Sequence, residues 1–358
     1  MKFLIIRFSS IGDIVLTTPV IRCIKQQVSG ATVHFLTKKN FRGIVETNPY
    51  VDKVMILNES WELLMHELQM GEYDYIIDLH HNLRTLKVKR GLKGVKSFSF
   101  NKLNIQKWLL TALKINRLPK VHIVDRYLDT VKELGVVNDG KGLDYFIPVK
   151  DTISEKDIPL SHWYGYIGIV IGAAHNTKKL PVHKLKELCE KITYPIILLG
   201  GKEDSANGDE IASLDDIRIY NACGKFNLNE SAGLVKRSKL IITHDTGLMH
   251  IAAAFQKPII SVWGNTVPEF GMWAYGMRDG GGEMRDEGYE MRDAGYGMRD
   301  GGYEIRDTRF EIKGLRCRPC TKIGYDKCPK GHFKCMELQD IEQMARTAVE
   351  IVLKQKTL

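Results

Sequence analysis

The chain has 358 residues, a net charge of +9 and 44% hydrophobic residues, enough apolar material for two packed domains of ordinary size. Its aromatic content of 9% and scattered charges exclude a disordered protein. Because no apolar run reaches the roughly 18 residues of a membrane span and Met1 to Arg7 is too short for a signal peptide, we expect a soluble, cytoplasmic protein.

The first half of the chain alternates short apolar runs with helical patterns. Thr18-Pro19 is typical of an N-cap followed by the first helical position and predicts a helix to about Val28. This alternation predicts a parallel sheet covered by helices, which we assign to a first domain over residues 1–155. The predicted strands are Phe3–Arg7, Thr32–Leu36, Lys53–Leu57 and Tyr73–Leu79.

The same rhythm restarts after Pro159 and predicts a second domain over residues 156–340. A last helix is predicted from about Asp340 to Lys354. We assign residues 341–358 to this C-terminal helix and expect it to pack back on the first domain. The predicted strands of the second domain are Tyr166–Gly172, Pro195–Gly200, Ile217–Tyr220, Leu240–Thr243 and Pro258–Val262.

Residues 277–309 interrupt the second domain with a repeat of period seven, Met-Arg-Asp or Ile-Arg-Asp. A period of seven could indicate a coiled coil, but eight glycines in this stretch argue against a helix, since each costs about 1 kcal/mol against alanine. We interpret the segment as a low-complexity insertion and expect its deletion to leave folding and donor binding intact.

The positive charge is concentrated from Asn82 to His122, which contains eleven Lys and Arg residues and no Asp or Glu. Such a block favours an anionic partner, although a solvated basic face is the alternative. A nucleic acid is not favoured, because the block lacks a recognised motif and interleaved aromatic residues.

Three polar motifs follow predicted strands, at the sheet edge where ligands bind in open α/β folds. After the first strand, Gly12-Asp13 could place a general base, or Asp13 could simply cap the next helix. Neither a dinucleotide-binding nor a P-loop glycine pattern is present, which removes most support for hydride transfer or ATP hydrolysis.

The other two motifs lie in the second domain. Asp245-Thr246-Gly247 leads from a strand into a helix whose free N–H groups suit a diphosphate, with His250 nearby; a capping Asp and a core His are the alternative. Lys178 or Lys179 could offset charge on a departing diphosphate. Because the chain lacks an Asp-x-Asp pair, we expect no metal and no other cofactor in catalysis.

Four of the seven cysteines cluster near the C-terminal end of the chain, with His332 among them. Four thiols within nineteen residues could hold zinc, but the spacing is not that of a common finger, and reduced structural cysteines are the favoured interpretation. The four are Cys317, Cys320, Cys328 and Cys335.

Together these motifs resemble the ADP-heptose:lipopolysaccharide heptosyltransferases of glycosyltransferase family 9. The resemblance covers nearly the whole chain apart from the insertion. It is carried by Gly12-Asp13 with Thr18-Pro19, by Lys178–Pro181, by Asp245–Ala254, by Trp263–Pro268 and by the cysteine segment.

This resemblance implies an α/β fold of GT-B type: two Rossmann-like, doubly wound parallel-sheet domains that face a cleft. It implies an inverting reaction that moves heptose from ADP-L-glycero-D-manno-heptose to the Kdo and heptose inner core of lipopolysaccharide, with peripheral contact at the inner membrane and no nucleic-acid partner. Asp13 would be the base. The implied donor-binding residues are Lys178, Asp204, Asp245, Thr246, Gly247 and His250, and the candidate acceptor-binding residues are Arg84, Lys87, Lys89 and Arg90.

Two alternatives remain at this stage. The family usually has an aromatic residue where Leu180 stands, so the donor could be another nucleotide sugar used for a surface glycan. The same fold and basic face could also belong to a non-enzymatic binder of an anionic glycolipid.

Overall fold

The computed structural model describes residues 1–57, 60–276, 298–299, 302–303 and 307–355. The chain divides into two compact units. The first unit contains Met1–Leu103 and Val121–Pro148, and the second contains Asn104–Lys120 and Val149–Leu358. Most of the predicted insertion lies outside the described residues.

The first unit is built on a five-stranded parallel sheet with the order β3-β2-β1-β4-β5. β1 is central, and its side chains from Phe3 to Ile6 are fully buried, as expected for a strand covered on both faces. The strands are β1 Lys2–Ile6, β2 Thr32–Thr37, β3 Lys53–Ile56, β4 Tyr75–Asp78 and β5 Lys96–Ser99. The helices of the unit are α1 Ile11–Val15, α2 Thr18–Gln27, α3 Trp61–Gln69, α4 Leu83–Gly91 and α6 Ile123–Leu128.

The second unit has a six-stranded sheet with the order β13-β10-β9-β6-β7-β8, parallel throughout. Its strands are β6 Ile167–Val170, β7 Ile196–Leu199, β8 Ile219–Asn221, β9 Leu240–His244, β10 Ile259–Trp263 and β13 Asp307–Glu311, and two-residue strands β11 Met298–Arg299 and β12 Gly302–Tyr303 pair with each other. Its helices are α5 Asn104–Trp108, α7 Val182–Lys191, α8 Ser205–Ala212, α9 Leu228–Arg237, α10 Gly247–Ala254, α11 Lys334–Glu337 and α12 Ile341–Lys354.

The last helix, α12, belongs to the second unit, where it packs against α7 and β9. The predicted packing of this helix on the first domain stays a prediction. Its apolar stripe, which includes Met344 and Ala348, is part of the buried core of the second unit. An ion pair of 2.6 Å between Lys191 Nζ and Glu342 Oε2 adds a polar contact at its first turn.

The domain boundary differs from the prediction. The first unit ends at Pro148 rather than near residue 155, and the segment Asn104–Lys120, which we placed in the first domain, belongs to the second unit. Leu110 explains this assignment, since it is buried in a small apolar cluster with Val267 and Phe270. Four of the eleven basic residues of the block therefore lie outside the unit in which the sequence placed them; they are Lys107, Lys114, Arg117 and Lys120.

The end of the predicted insertion is part of the fold. β13 Asp307–Glu311 is the edge strand next to β10, Asp307 accepts a hydrogen bond from the Ser261 hydroxyl, and Phe310 is buried. The predicted insertion boundary at residue 309 thus cuts through a strand. An edge strand with one buried apolar side chain shows little alternation of apolar and polar residues, so in the sequence this strand could not be distinguished from the repeat.

Because β13 is part of the fold, the expected effect of deleting the insertion depends on where the deletion ends. Replacing residues 277–306 by a short Gly/Ser linker is expected to leave the unfolding temperature and donor binding unchanged, because a short linker can join the two flanking segments. These segments are already close, since the centre of the Trp273 ring lies 5.2 Å from the Arg309 guanidinium. Extending the deletion through residue 309 is expected to cost about 2–4 kcal/mol of unfolding free energy, because it removes the first three of the five residues of β13 and disrupts the packing of Phe310. Thermal unfolding of both variants tests this, and equal stability of the two would contradict a structural role for β13.

No helix in the described part of the chain is long and apolar enough to cross a membrane.

Candidate functional site

Each unit carries a polar cluster where its parallel strands end. In the first unit, the chain leaves β1 and turns directly into α1, so that Asp13 lies in the first turn of this helix. The Asp13 side chain is 19% exposed, which leaves it accessible to a ligand. The position agrees with the sheet edge at which ligands bind in open α/β folds.

The two carboxylate oxygens of Asp13 have different partners. Oδ2 accepts hydrogen bonds from the Ser10 backbone N–H at 3.1 Å and from the Ser10 hydroxyl at 2.8 Å. Oδ1 lies 2.7 Å from Nη2 of Arg7. The capping role and the functional role are therefore compatible, because the cap occupies one oxygen and the guanidinium orients the other.

The surroundings keep Asp13 ionised. Burial raises the pKa of Asp13, but the charge of Arg7 and the two hydrogen bonds from Ser10 outweigh this effect and hold the pKa below the ordinary aspartate value. Asp13 is then a carboxylate at neutral pH, as a proton acceptor must be.

Arg7 is a residue that sequence reasoning missed. It is 8% exposed, and besides Asp13 it donates through Nη1 to the Leu79 carbonyl at 2.6 Å and to the Tyr127 hydroxyl at 2.9 Å. This arginine thus ties together the ends of β1 and β4 and helix α6. A single arginine at the end of a strand gives no warning of this role, since its partners are distant in sequence.

The candidate acceptor-binding residues lie on α4, and the structure separates them. Arg84, Lys87 and Arg90 are exposed and follow one another at intervals of three, which places them along one side of the helix. The ammonium of Lys87 lies 4.3 Å from the centre of the Trp61 ring. Together they form a solvent-facing basic row.

Lys89 differs from the other three. It is 16% exposed and pairs at 3.0 Å with Asp78, whose side chain is fully buried, while it also donates to the Ser99 hydroxyl at 2.8 Å. Neighbouring residues of a helix point in different directions, so Lys89 does not share the exposed side of α4 on which Arg90 lies, and its side chain reaches towards the sheet. Its ammonium neutralises a buried carboxylate, a structural task that the sequence prediction did not anticipate.

In the second unit, Lys178 and Asp245, both predicted donor-binding residues, form an ion pair. Lys178 Nζ lies 2.6 Å from Asp245 Oδ2, and the two side chains are 15% and 13% exposed. Thr266, after β10, donates its hydroxyl to the same carboxylate oxygen at 3.1 Å. Three segments that follow β6, β9 and β10 therefore converge on one carboxylate.

The amino end of α10 adjoins this carboxylate. Thr246 is the N-cap residue, with extended backbone, and its side chain makes no capping hydrogen bond; its hydroxyl lies 3.1 Å from that of Thr243. The helix begins at Gly247, and the half-buried first turn presents N–H groups and the positive end of the helix dipole. His250 is 1% exposed in the next turn, so it is part of the interior of this helix end.

Asp204, an implied donor-binding residue, is nearly buried and has a partner on each carboxylate oxygen. Its side chain is 3% exposed, Oδ1 pairs with Lys179 at 2.7 Å, and Oδ2 accepts the Gly201 N–H at 3.0 Å. A side chain at Gly172 would collide with this carboxylate, since a Cβ there would lie 2.3 Å from Oδ2. This geometry favours a role in holding Lys179 and the neighbouring loops over contact with a ligand.

His244 is a second residue that the motif analysis passed over. It is 1% exposed at the end of β9, and its Nε2 accepts the backbone N–H of Leu180 at 2.9 Å. Burial, together with the charge of Lys179, lowers the pKa of His244 to about 4, so the ring is neutral and able to accept a hydrogen bond at neutral pH. The hydrogen bond fixes the loop that carries Lys178.

The cysteine segment braces the same loops. Arg318 donates to the carbonyls of Gly264 and Thr266 at 2.6 and 3.1 Å, and Thr177 exchanges hydrogen bonds with the backbone of Tyr325. Cys317 Sγ lies 3.7 Å from His332 Nε2, but within the described residues no group of three or more His, Cys, Asp or Glu side chains is arranged to hold a metal ion. The described hydrogen bonds thus show that the cysteine segment holds the loops of Thr177 and Thr266 in place.

The chain has two parallel α/β units, each with polar groups at its strand ends, which is the architecture of the GT-B fold class of glycosyltransferases. The family model for glycosyltransferase family 9 (heptosyltransferase) matches residues 61–281, and the chain belongs to this family. The family assignment and the GT-B fold predicted from the motifs are confirmed.

Curated proteins that are similar in sequence are also heptosyltransferases. The chain is 27% identical to lipooligosaccharide heptosyltransferase 2 of Haemophilus influenzae over 303 residues, which is 75% of this chain and 85% of that protein. It is also 27% identical to lipopolysaccharide heptosyltransferase 1 of Campylobacter coli, over 74% of this chain and 84% of that protein.

Solved structures show the same fold. The ADP-heptose lipopolysaccharide heptosyltransferase II of Escherichia coli superimposes with a TM-score of 0.71 at 16% identity, covering 99% of this chain and 100% of that chain. Heptosyltransferase WaaC of Escherichia coli, solved with ADP, gives a TM-score of 0.59 at 20% identity, covering 76% of this chain and 91% of that chain.

Proposed function

We propose that this glycosyltransferase transfers heptose from ADP-L-glycero-D-manno-heptose to the Kdo and heptose inner core of lipopolysaccharide, with inversion at the anomeric carbon. The observation that carries the proposal is the Lys178–Asp245 ion pair beside the amino end of α10. The names of the relatives in Haemophilus influenzae and Campylobacter coli, both heptosyltransferases, support the choice of sugar.

The second unit would bind the donor. The diphosphate would accept hydrogen bonds from the N–H groups of Thr246 and Gly247, where the helix dipole favours negative charge. The Lys178 ammonium would interact with the diphosphate as well as with Asp245, and so stabilise the negative charge that develops as the bond to the sugar breaks. The proposal needs no metal, because the ammonium and the helix end meet the charge of the leaving group.

The first unit would activate the acceptor. Asp13 Oδ1 would accept the proton of the attacking hydroxyl, while Arg7 and Ser10 hold the carboxylate in place. Inversion follows from a single displacement, in which this hydroxyl attacks the face of the anomeric carbon opposite the departing ADP. One base is sufficient for such a reaction.

The exposed row of Arg84, Lys87 and Arg90 would draw the anionic acceptor, and the membrane surface that carries it, towards the first unit. Exposed charges of this kind raise association rates more than affinity and are screened by salt. We therefore assign these residues to encounter with the acceptor and to peripheral membrane contact, and we leave Lys89 out because Asp78 occupies it.

A thermal-shift comparison of nucleotide sugars tests the donor. ADP-heptose at about 100 times its Kd is expected to add about 2.7 kcal/mol to the unfolding free energy, since a ligand of the folded state alone stabilises by RT ln(1 + [L]/Kd). ADP-glucose should show how much of the shift comes from the nucleotide, and UDP- and GDP-sugars should have little effect. A larger shift with one of these other sugars than with ADP-heptose would contradict the proposed donor.

A further inference from the structure

Arg126, on helix α6 of the first unit, is a buried arginine with unusual surroundings. The residue is 8% exposed, and its Nε, Nη1 and Nη2 atoms make no hydrogen bond within the described part of the chain. The two other arginines that the structure buries to this degree, Arg7 and Arg22, each form ion pairs with aspartates. Arg126 has no such aspartate or glutamate among the described ion pairs.

A buried guanidinium without partners is costly, because the charge loses its hydration and gains no hydrogen bond in return. Burial lowers the pKa of Arg126, but an arginine stays protonated at neutral pH and presents five N–H donors in a rigid fork. That fork matches the two oxygens of a carboxylate or phosphate. A ligand of this chemistry would satisfy the donors that the protein leaves unused.

The position of Arg126 relates it to the candidate base. It precedes Tyr127, whose hydroxyl accepts from Arg7 at 2.9 Å, and Arg7 in turn holds Asp13 at 2.7 Å. Burial raises the pKa of Tyr127, and the charges of both Arg7 and Arg126 act on it in the opposite direction, as expected if both guanidinium groups lie near this ring. One small region of the first unit therefore holds a carboxylate with a partner and a guanidinium without one.

We propose that Arg126 binds an oxyanion of the acceptor, a sugar carboxylate or a phosphate, and so positions the hydroxyl that Asp13 deprotonates. This inference rests on the proposed function, in which the first unit takes the acceptor. It assigns acceptor specificity to a buried residue rather than to the exposed row on α4. A buried fork can select the geometry of an anion, whereas exposed lysines and arginines mainly sense total charge.

Steady-state kinetics of Arg126→Gln tests the assignment. We expect the KM for the anionic acceptor to rise about 30-fold or more, because a buried charged hydrogen bond is lost, while the KM for the donor stays within about twofold. Arg42→Gln is the matched control, since Arg42 is an exposed arginine of the same unit, 60% exposed and paired only with Glu46. An unchanged acceptor KM for Arg126→Gln would overturn the proposal.

Modified acceptors identify the anion. Acceptor treated with phosphatase and acceptor with amidated carboxyl groups are compared on the wild type and on Arg126→Gln. The modification that removes the anion bound by Arg126 should weaken the wild type and have little further effect on the variant. If both modifications weaken the variant as much as the wild type, Arg126 does not bind the acceptor anion.

A stability measurement separates this role from a structural one. Arg126→Met keeps the length of the side chain and removes the charge, so the substrate-free variant is expected to unfold at the same temperature as the wild type or higher. A fall of several degrees would show that Arg126 stabilises the fold through internal partners and would contradict the proposal. Failure of the proposed donor appears instead in the nucleotide-sugar shifts, which do not depend on Arg126.

Discussion

Asp13→Asn is expected to lower kcat for sugar transfer by about two to four orders of magnitude, with donor binding unchanged. Asparagine has nearly the same shape but cannot accept the proton of the acceptor hydroxyl, and the loss of a positioned base has an effect of this size. The remaining contacts of the loop, between Arg7 and the Leu79 carbonyl and the Tyr127 hydroxyl, do not involve Asp13 and should preserve the local fold.

Transfer of sugar from ADP-heptose and the thermal shift by the same donor are the two measurements for this variant. Asp74→Asn is the control, since Asp74 is an exposed aspartate of the same unit that accepts only the Lys2 N–H at 2.6 Å. If the asparagine variant at position 13 transfers sugar at nearly the wild-type rate, Asp13 is not the base. If both transfer and donor binding are lost, the variant has a folding defect, which circular dichroism would show.

The pH dependence of kcat/KM gives a second test of Asp13. Because the pKa of Asp13 is lowered in the folded protein, the carboxylate form persists below the ordinary aspartate pKa of about 3.9. The rate should therefore show no loss from Asp13 protonation between pH 5 and 8, and its acid limb should lie below this window. The stability contributed by the Arg7 contact has the same sign: it is present above the unfolded pKa and is lost as pH falls through the folded pKa. An acid limb near pH 6 that disappears in Asp13→Asn would mean that the pKa is raised instead.

Lys178→Ala is expected to lower kcat by about two to three orders of magnitude and to weaken donor binding. Its ammonium contacts Asp245, which immediately precedes the N-cap residue of α10, and removal of one donor that stabilises a leaving oxyanion has an effect of this order. Lys186→Ala is the control, because Lys186 lies in the next helix and pairs only with Glu210 at 3.3 Å near the surface.

The partner of Lys178 must be considered in this experiment. Removing the lysine leaves Asp245, which is 13% exposed, with only the Thr266 hydroxyl as a side-chain partner, so part of the defect could come from an unpaired carboxylate. The double variant Lys178→Ala, Asp245→Asn removes that charge. We expect it to remain as slow as Lys178→Ala, because the lysine acts on the diphosphate; recovery of the rate would show that the ion pair is structural.

Much of the fold was predictable because buried parallel strands leave a strong local signal. The runs at Phe3–Ile6 and Leu240–Ile242 are apolar over their whole length, and both belong to central strands covered by helices. β5 and β13 were missed for the opposite reason. They are edge strands in which only the side chain of Phe310 is buried, and no apolar period distinguishes them from loops or from the repeat.

The candidate site, like the fold, was predictable from the sequence only in part. The sequence by itself determined the family, the two-unit fold and the positions of Asp13, Lys178 and Asp245, because each lies within a few residues of a strand end and the edge of a parallel sheet is a local consequence of strand direction. Tertiary structure alone decided which charges are used internally. Lys89 and Asp204 proved to be paired inside the protein, Arg7 proved to hold Asp13, and Arg126 proved to be buried without a hydrogen-bond partner among the described residues. The strength and availability of a charge depend on the burial and partners that distant segments bring to it, and a sequence pattern contains neither.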